Sequence, residues 1–122
     1  MPDIRLTGAL AAEYVQLYRS CEIRPQHLDR VESAADRVLV NAERYRAVAT
    51  PLGIPWYFIA ALHNLESSQS FERHLHNGDP LTSRTRRVPA GRPADGAPPF
   101  TWEGSADDAL RMKRLTIRSS SE

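Results

Sequence analysis

A chain of 122 residues with 41% hydrophobic and 25% charged residues has the composition of one ordinary globular domain, long enough to bury a core. Sixteen Lys and Arg against fifteen Asp and Glu leave a formal charge of +1, so no global attraction draws it to nucleic acid or to an anionic membrane. The lone cysteine, Cys21, excludes an internal disulfide and any multi-cysteine zinc site, and no apolar run reaches the roughly 20 residues of a membrane span.

In chain order, Leu10, Tyr14, Leu17, Tyr18 and Cys21 recur every three or four positions. They predict a first helix from about Thr7 to Cys21, with Thr7 as its N-cap and Cys21 a small buried hydrophobe on the apolar stripe. Arg24-Pro25 stops it, and Pro25 suits the first turn of a second helix. The stripe Leu28, Val31, Ala35, Val38, Ala42, Tyr45 and Val48 carries that helix to about Ala49, before the break Thr50-Pro51-Leu52-Gly53. A third helix opens at Pro55 through WYFIAALHNLES; it is apolar on nearly every face, the pattern of a helix surrounded by core.

The character then changes. Pro80, Pro89, Pro93, Pro98 and Pro99 alternate with Gly78, Gly91, Gly96 and Gly104, which permits turns and a short hairpin but no long helix. Leu81, Val88, Phe100 and Trp102 give this stretch apolar anchors, so it reads as an ordered loop lobe. Ser105-Ala-Asp-Asp108 has the form of a capping box and opens a last helix through Met112. The fold class expected is mainly α, α+β at most. One domain is expected over 1–113, a helical pair (1–50) and a core (54–113), followed by a polar tail at 114–122 that frays. The opening MPDIRLTGALAAEY has no basic start before an apolar stretch, so a chain made in the cytoplasm without a signal peptide is expected.

Glu66 ends the most apolar helix and precedes the polar loop. A carboxyl at such a junction is partly desolvated, which raises its pKa and suits it to general acid work. Thirteen residues later Asp79 lies in His-Asn-Gly-Asp-Pro, a turn sequence that keeps a carboxylate hydrated and ionised. Two carboxyl groups with pKa values pushed apart are what cleavage of a glycosidic bond requires.

The segments NLESSQSF (64–71), HLHNGDPLTSRT (74–85), VPAGRP (88–93) and PPFTWEGSADDAL (98–110) resemble a bacterial and phage-associated group in the lysozyme-like superfamily, beside peptidoglycan-cleaving endolysins. Glu-Ser-Ser at a helix end, with Phe71 shortly after, is also similar to the catalytic helix of soluble lytic transglycosylases and goose-type lysozymes. In phage-type lysozymes a Thr follows the Asp by six residues, the spacing of Asp79 and Thr85; their Glu-to-Asp gap is shorter than the thirteen residues here. The resemblance implies a lysozyme-like helical core and cleavage of the β-1,4 bond between N-acetylmuramic acid and N-acetylglucosamine. Glu66 would be the acid and Asp79 would stabilise the cation or orient water. Thr85, or Thr82 on the same loop, would hold that water or the Asp79 carboxylate. His76, Asn77, Thr82 and Trp102 are the expected substrate contacts, with Trp102 in the cleft and Trp56 and Phe100 in the core. The site of action would be the cell wall, the protein a monomer, and no cofactor or metal is required. Relatives continue past the last helix, so the resemblance also implies a C-terminally shortened copy.

Other readings stay beside this one. His63, Glu66, His74 and His76 have the residue types of a zinc site but no HExxH or cysteine motif, so no metal is expected. Arg84, Arg86, Arg87 and Arg92 read first as a solvated loop, then as a contact for anionic cell wall, and last for nucleic acid. A lytic transglycosylase would need Glu66 without Asp79, and chitin has the same kind of linkage. A catalytically silent module that binds glycan, or a helical module that binds a protein, would use Glu66 for neither.

Overall fold

Thr7 caps the first element as its sequence predicts: its hydroxyl accepts the Leu10 amide at 3.1 Å and starts α1, Gly8–Ser20. The computed structural model describes residues 7–113 and divides the chain into two compact units, residues 1–32 and 33–122. The expected polar tail at 114–122 lies outside the described residues. Helix makes up 59% of the structure and no strand is found among the described residues, so the fold is mainly α.

α1 has no buried residue, and Cys21 behind it is exposed rather than the small core hydrophobe its position on the stripe suggested. A unit of this size holds too little chain to enclose an apolar stripe of its own. A single 3₁₀ turn, Pro25–His27, leads into α2, Leu28–Val40.

The expected long second helix is two. α2 ends at Val40 and α3 runs Ala42–Leu52, with Asn41 between them at φ −101° and ψ 12°. The Arg37 carbonyl accepts both the Asn41 side-chain amide at 2.9 Å and the Asn41 backbone amide at 3.2 Å, which closes the last turn of α2. α3 finishes in a Schellman cap. Gly53, at φ 67°, donates to Thr50 and Ile54 donates to Ala49, so Pro51 can sit in the closing turn without ending the helix early.

α4, Trp56–Ser67, begins and ends where expected but is not enclosed by core. Ile59, Ala60 and His63 are buried, whereas Tyr57 and Leu65 are 64% and 80% exposed. α5, Trp102–Met112, starts earlier than the capping-box pattern indicated, because the Thr101 hydroxyl accepts the Gly104 amide at 3.1 Å. Ser105 is therefore an interior helix residue, fully buried, and not the cap.

α3 packs on both α4 and α5. Tyr45, Val48, Ala49 and Leu52 of α3 meet Ile59 and Ala60 of α4 and Trp102, Ala106, Ala109 and Leu110 of α5. Leu75 and Leu81 join this core from the loop lobe, which tethers the lobe to the helices. The lobe's hairpin is a single antiparallel bridge, Arg73 to Pro80, closed by the His74 amide on the Asp79 carbonyl at 2.7 Å.

Candidate active site at the end of helix α4

Glu66 occupies the last turn of α4 and is half-buried. The turn is closed by two consecutive left-handed residues, Ser68 at φ 52° and Gln69 at φ 67°. Their amides donate to the carbonyls of Asn64 and His63. The buried Gln69 amide holds this conformation, donating to the Ala34 carbonyl at 3.2 Å and to the Asn64 side chain at 3.1 Å. Left-handed backbone at non-glycine residues is costly and persists where surrounding contacts fix it. From the other side comes Gly78, at φ 82°, so close that a Cβ there would lie 2.9 Å from the Glu66 carbonyl oxygen. The bare backbone of the hairpin tip thus abuts the turn that carries Glu66.

The carboxyl itself is unclaimed. Among the described residues five carboxyl-bearing residues are buried or half-buried: Glu66, Asp79, Glu103, Asp107 and Asp108. Four of them are ion-paired, with Arg87, Arg44, Arg111 and Arg92 respectively for Asp79, Glu103, Asp107 and Asp108. Glu66 alone has neither an ion pair nor a side-chain hydrogen bond there.

Asp79 is ionised but not hydrated, which corrects the reading of its turn. It is 5% exposed. One oxygen accepts the Arg86 and Arg87 amides at 3.0 Å each, and the other accepts the Arg87 guanidinium at 2.6 Å. These donors, the Arg87 amide first, hold its pKa down to about 2. Thr85 is also committed elsewhere. Its buried hydroxyl donates to the Pro89 carbonyl and accepts the Arg92 amide at 2.8 Å, closing the 85–92 loop rather than reaching Asp79. Asn77 shapes the turn, accepting the Asp79 amide at 3.0 Å and donating to the Arg87 carbonyl at 3.1 Å.

Trp102 is not a cleft residue. It is 1% exposed, in an aromatic cluster with Tyr45, His63 and Phe71. Phe100, expected in the core, is half-buried: it packs against the core and also lines a groove of about 560 Å³ with Phe71, Arg73, Leu81 and Thr82. Thr82 is exposed there and is the one expected contact residue with a free approach; Glu66 lies outside that lining.

The histidines are hydrogen-bonded inside the fold. His63 bridges the Tyr45 hydroxyl at 2.8 Å and the Ser70 carbonyl at 2.7 Å, and burial lowers its pKa. His74 bridges the Ser105 hydroxyl and the Ser83 carbonyl, each at 2.7 Å. His76, an expected substrate contact, is buried instead, 2.6 Å from Asp108 and 3.4 Å from Ser105; burial lowers its pKa more than Asp108 raises it. No group of three or more metal-binding side chains forms among the described residues.

The arginines correct a further expectation. Arg84 donates to the carbonyls of Pro93 and Gly96, Arg87 pairs with Asp79 and Arg92 grips both oxygens of Asp108 at 3.1 and 2.7 Å. Arg84 and Arg87 tie the lobe together and Arg92 ties it to α5, whereas Arg86 is exposed and the Arg87 side chain is 70% exposed, so the run is solvated in part. Ser105 and Asp108, read in the sequence as a capping box, are instead partners of His74 and His76 about thirty residues earlier, and the Arg44–Glu103 pair had no signal in the sequence.

Comparison of the chain with protein-family models, curated proteins and solved structures finds no match. No helix among the described residues is long and apolar enough to cross a membrane.

Proposed function

We propose that this protein is a lysozyme-like peptidoglycan glycosidase in which Glu66 is the general acid. One observation carries the reading: Glu66 is the single partly buried carboxyl among the described residues that no protein group engages, on a turn fixed from both sides. The resemblance over 54–112 supplies the substrate class.

Asp79 has little capacity left for a cation or a water, since three donors already occupy it. That favours the single-acid form of the chemistry. Glu66 protonates the glycosidic oxygen as the C1–O bond breaks, leaving an oxocarbenium ion. The C6 hydroxyl of the same muramic acid then attacks C1 while the Glu66 carboxylate takes its proton, giving a 1,6-anhydro end without added water. No metal or organic cofactor takes part, and the cell wall is the site of action. A second reading, a partner-binding module, is favoured by Leu39, Tyr57 and Leu65, large apolar side chains exposed on α2 and α4.

The test is digestion of purified peptidoglycan by wild type and Glu66→Gln, with products read by mass spectrometry. Wild type should release muropeptides with anhydro ends, and Glu66→Gln should be slower by about 100-fold or more, the usual weight of a general acid. Reducing ends would shift the mechanism to water attack. No release by either folded protein would overturn the glycosidase reading and leave the binding module.

A further inference from the structure

The hairpin and loop lobe meet α5 through a row of polar groups with a buried centre at His74, Ser105 and His76: Ser83 carbonyl, His74, Ser105, His76, Asp108, Arg92. A carbonyl only accepts, so His74 Nε2 carries the proton toward Ser83, and His74 Nδ1 accepts from the Ser105 hydroxyl. At the other end the Asp108 carboxylate only accepts, so His76 Nε2 donates to it. With both imidazoles neutral, the protons run out at one link. Ser105 has given its hydrogen to His74, and His76 Nδ1 faces the Ser105 oxygen with a lone pair. That link is the longest of the five, 3.4 Å against 2.6–2.7 Å.

The charges around His76 are closed in the same way. Asp108 and Arg92 neutralise each other as a bidentate pair, His74 lies 5.6 Å away ring to ring, and the His76 side chain has no exposure. A proton added to His76 would complete the hydrogen-bond chain, but it would also place an uncompensated positive charge beside Arg92 in a dry site. Desolvation of a charge outweighs one hydrogen bond. The lowered pKa of His76, dominated by burial, points the same way.

We propose that this chain is an acid-released latch: protonation of His76 frees the 85–92 loop from α5 while the helical core stays folded. The loop has its own reporters, the Thr85, Gly91 and Arg92 amides, bonded to Arg92 carbonyl, Thr85 carbonyl and Thr85 hydroxyl. This inference does not depend on Glu66 or on glycosidase activity.

Amide hydrogen exchange by NMR from about pH 7.5 to about pH 5, corrected for intrinsic rates, tests it. In the wild-type chain these three amides should lose protection by roughly tenfold per pH unit below 6.5, while the helical circular dichroism of the chain stays constant. His76→Gln should abolish the pH dependence. Should that variant not fold, the wild-type chain still decides: the His76 ring titration and the loss of loop protection must share a midpoint. Constant loop protection, a loss of helical circular dichroism over the same range, a persisting pH dependence in His76→Gln, or separate midpoints would each overturn the latch.

Discussion

Asp79 shows how a residue can have the chemistry expected of it and still be spent on structure. The Asn-Gly-Asp-Pro turn forms as its side chains dictate, with the Asp79 amide on the Asn77 oxygen. The sequence could not reveal that the chain folds back seven and eight residues later, setting the Arg86 and Arg87 amides on the carboxylate. Removal of this buried acceptor is destabilising because the Arg86 and Arg87 amides lose their partner, although the exposed Arg87 guanidinium returns to water. Asp79→Ala should therefore cost about 2–3 kcal/mol, read from urea unfolding. Asp79→Asn keeps one carbonyl oxygen and should cost less. Peptidoglycan cleavage by folded Asp79→Asn should stay near wild type if Glu66 acts alone; a loss comparable to that of Glu66→Gln would restore Asp79 as a catalytic partner. Trp102 teaches the same limit from the apolar side. It was expected as a substrate contact in the cleft, but Thr101 caps a helix there, and the first turn of that helix turns the indole inward.

Elements whose signals are local were legible; those set by neighbours were not. The ends of α1 and α4, and the Gly53 stop, follow from Thr7, Pro55 and a left-handed glycine. The break at Asn41 escaped because it interrupts the backbone without disturbing the apolar stripe: Val38, Ala42 and Tyr45 keep helical spacing across it. The exposed faces of α4 escaped for the opposite reason, since apolar composition reports hydrophobicity and not how many neighbours there are to cover it. Where two elements meet, one atom matters. At Gly78 any side chain faces both the positive φ and a contact of 2.9 Å with the Glu66 carbonyl, which is backbone and cannot swing aside. Gly78→Ala should lower stability by about 1–3 kcal/mol, measured by chemical denaturation. It should also shift the amide resonances of Glu66 and Ser67, whereas those of Ala106 and Ala109 in α5 should hold their positions. Unchanged stability, or shifts spread evenly through the core, would mean that the hairpin tip does not brace the turn that carries Glu66.

At the scale of the whole molecule, acid should act in two stages. His63 and His76 both have folded-state pKa values below the ordinary 6.5, chiefly because burial disfavours the imidazolium. The unfolded chain therefore binds more protons there, so the stability tied to these residues is complete above 6.5 and is lost as the pH falls below it. Asp79 is the reverse kind of group with the same direction of effect. Its folded value of about 2 lies under the ordinary 3.8, so its contribution persists until the pH drops below 3.8 and disappears toward about 2. Glu103 is lowered too, mainly by Arg44, but both partners are over a third exposed and solvent screening leaves the pair little weight. Urea midpoints followed from neutral pH downward should thus begin to fall below about pH 6.5, with a further fall setting in below about pH 4. Asp79→Asn should erase only the second fall and His76→Gln should reduce only the first. A single continuous decline through both ranges, unaltered by either substitution, would show that general charge repulsion rather than these buried groups governs the acid response.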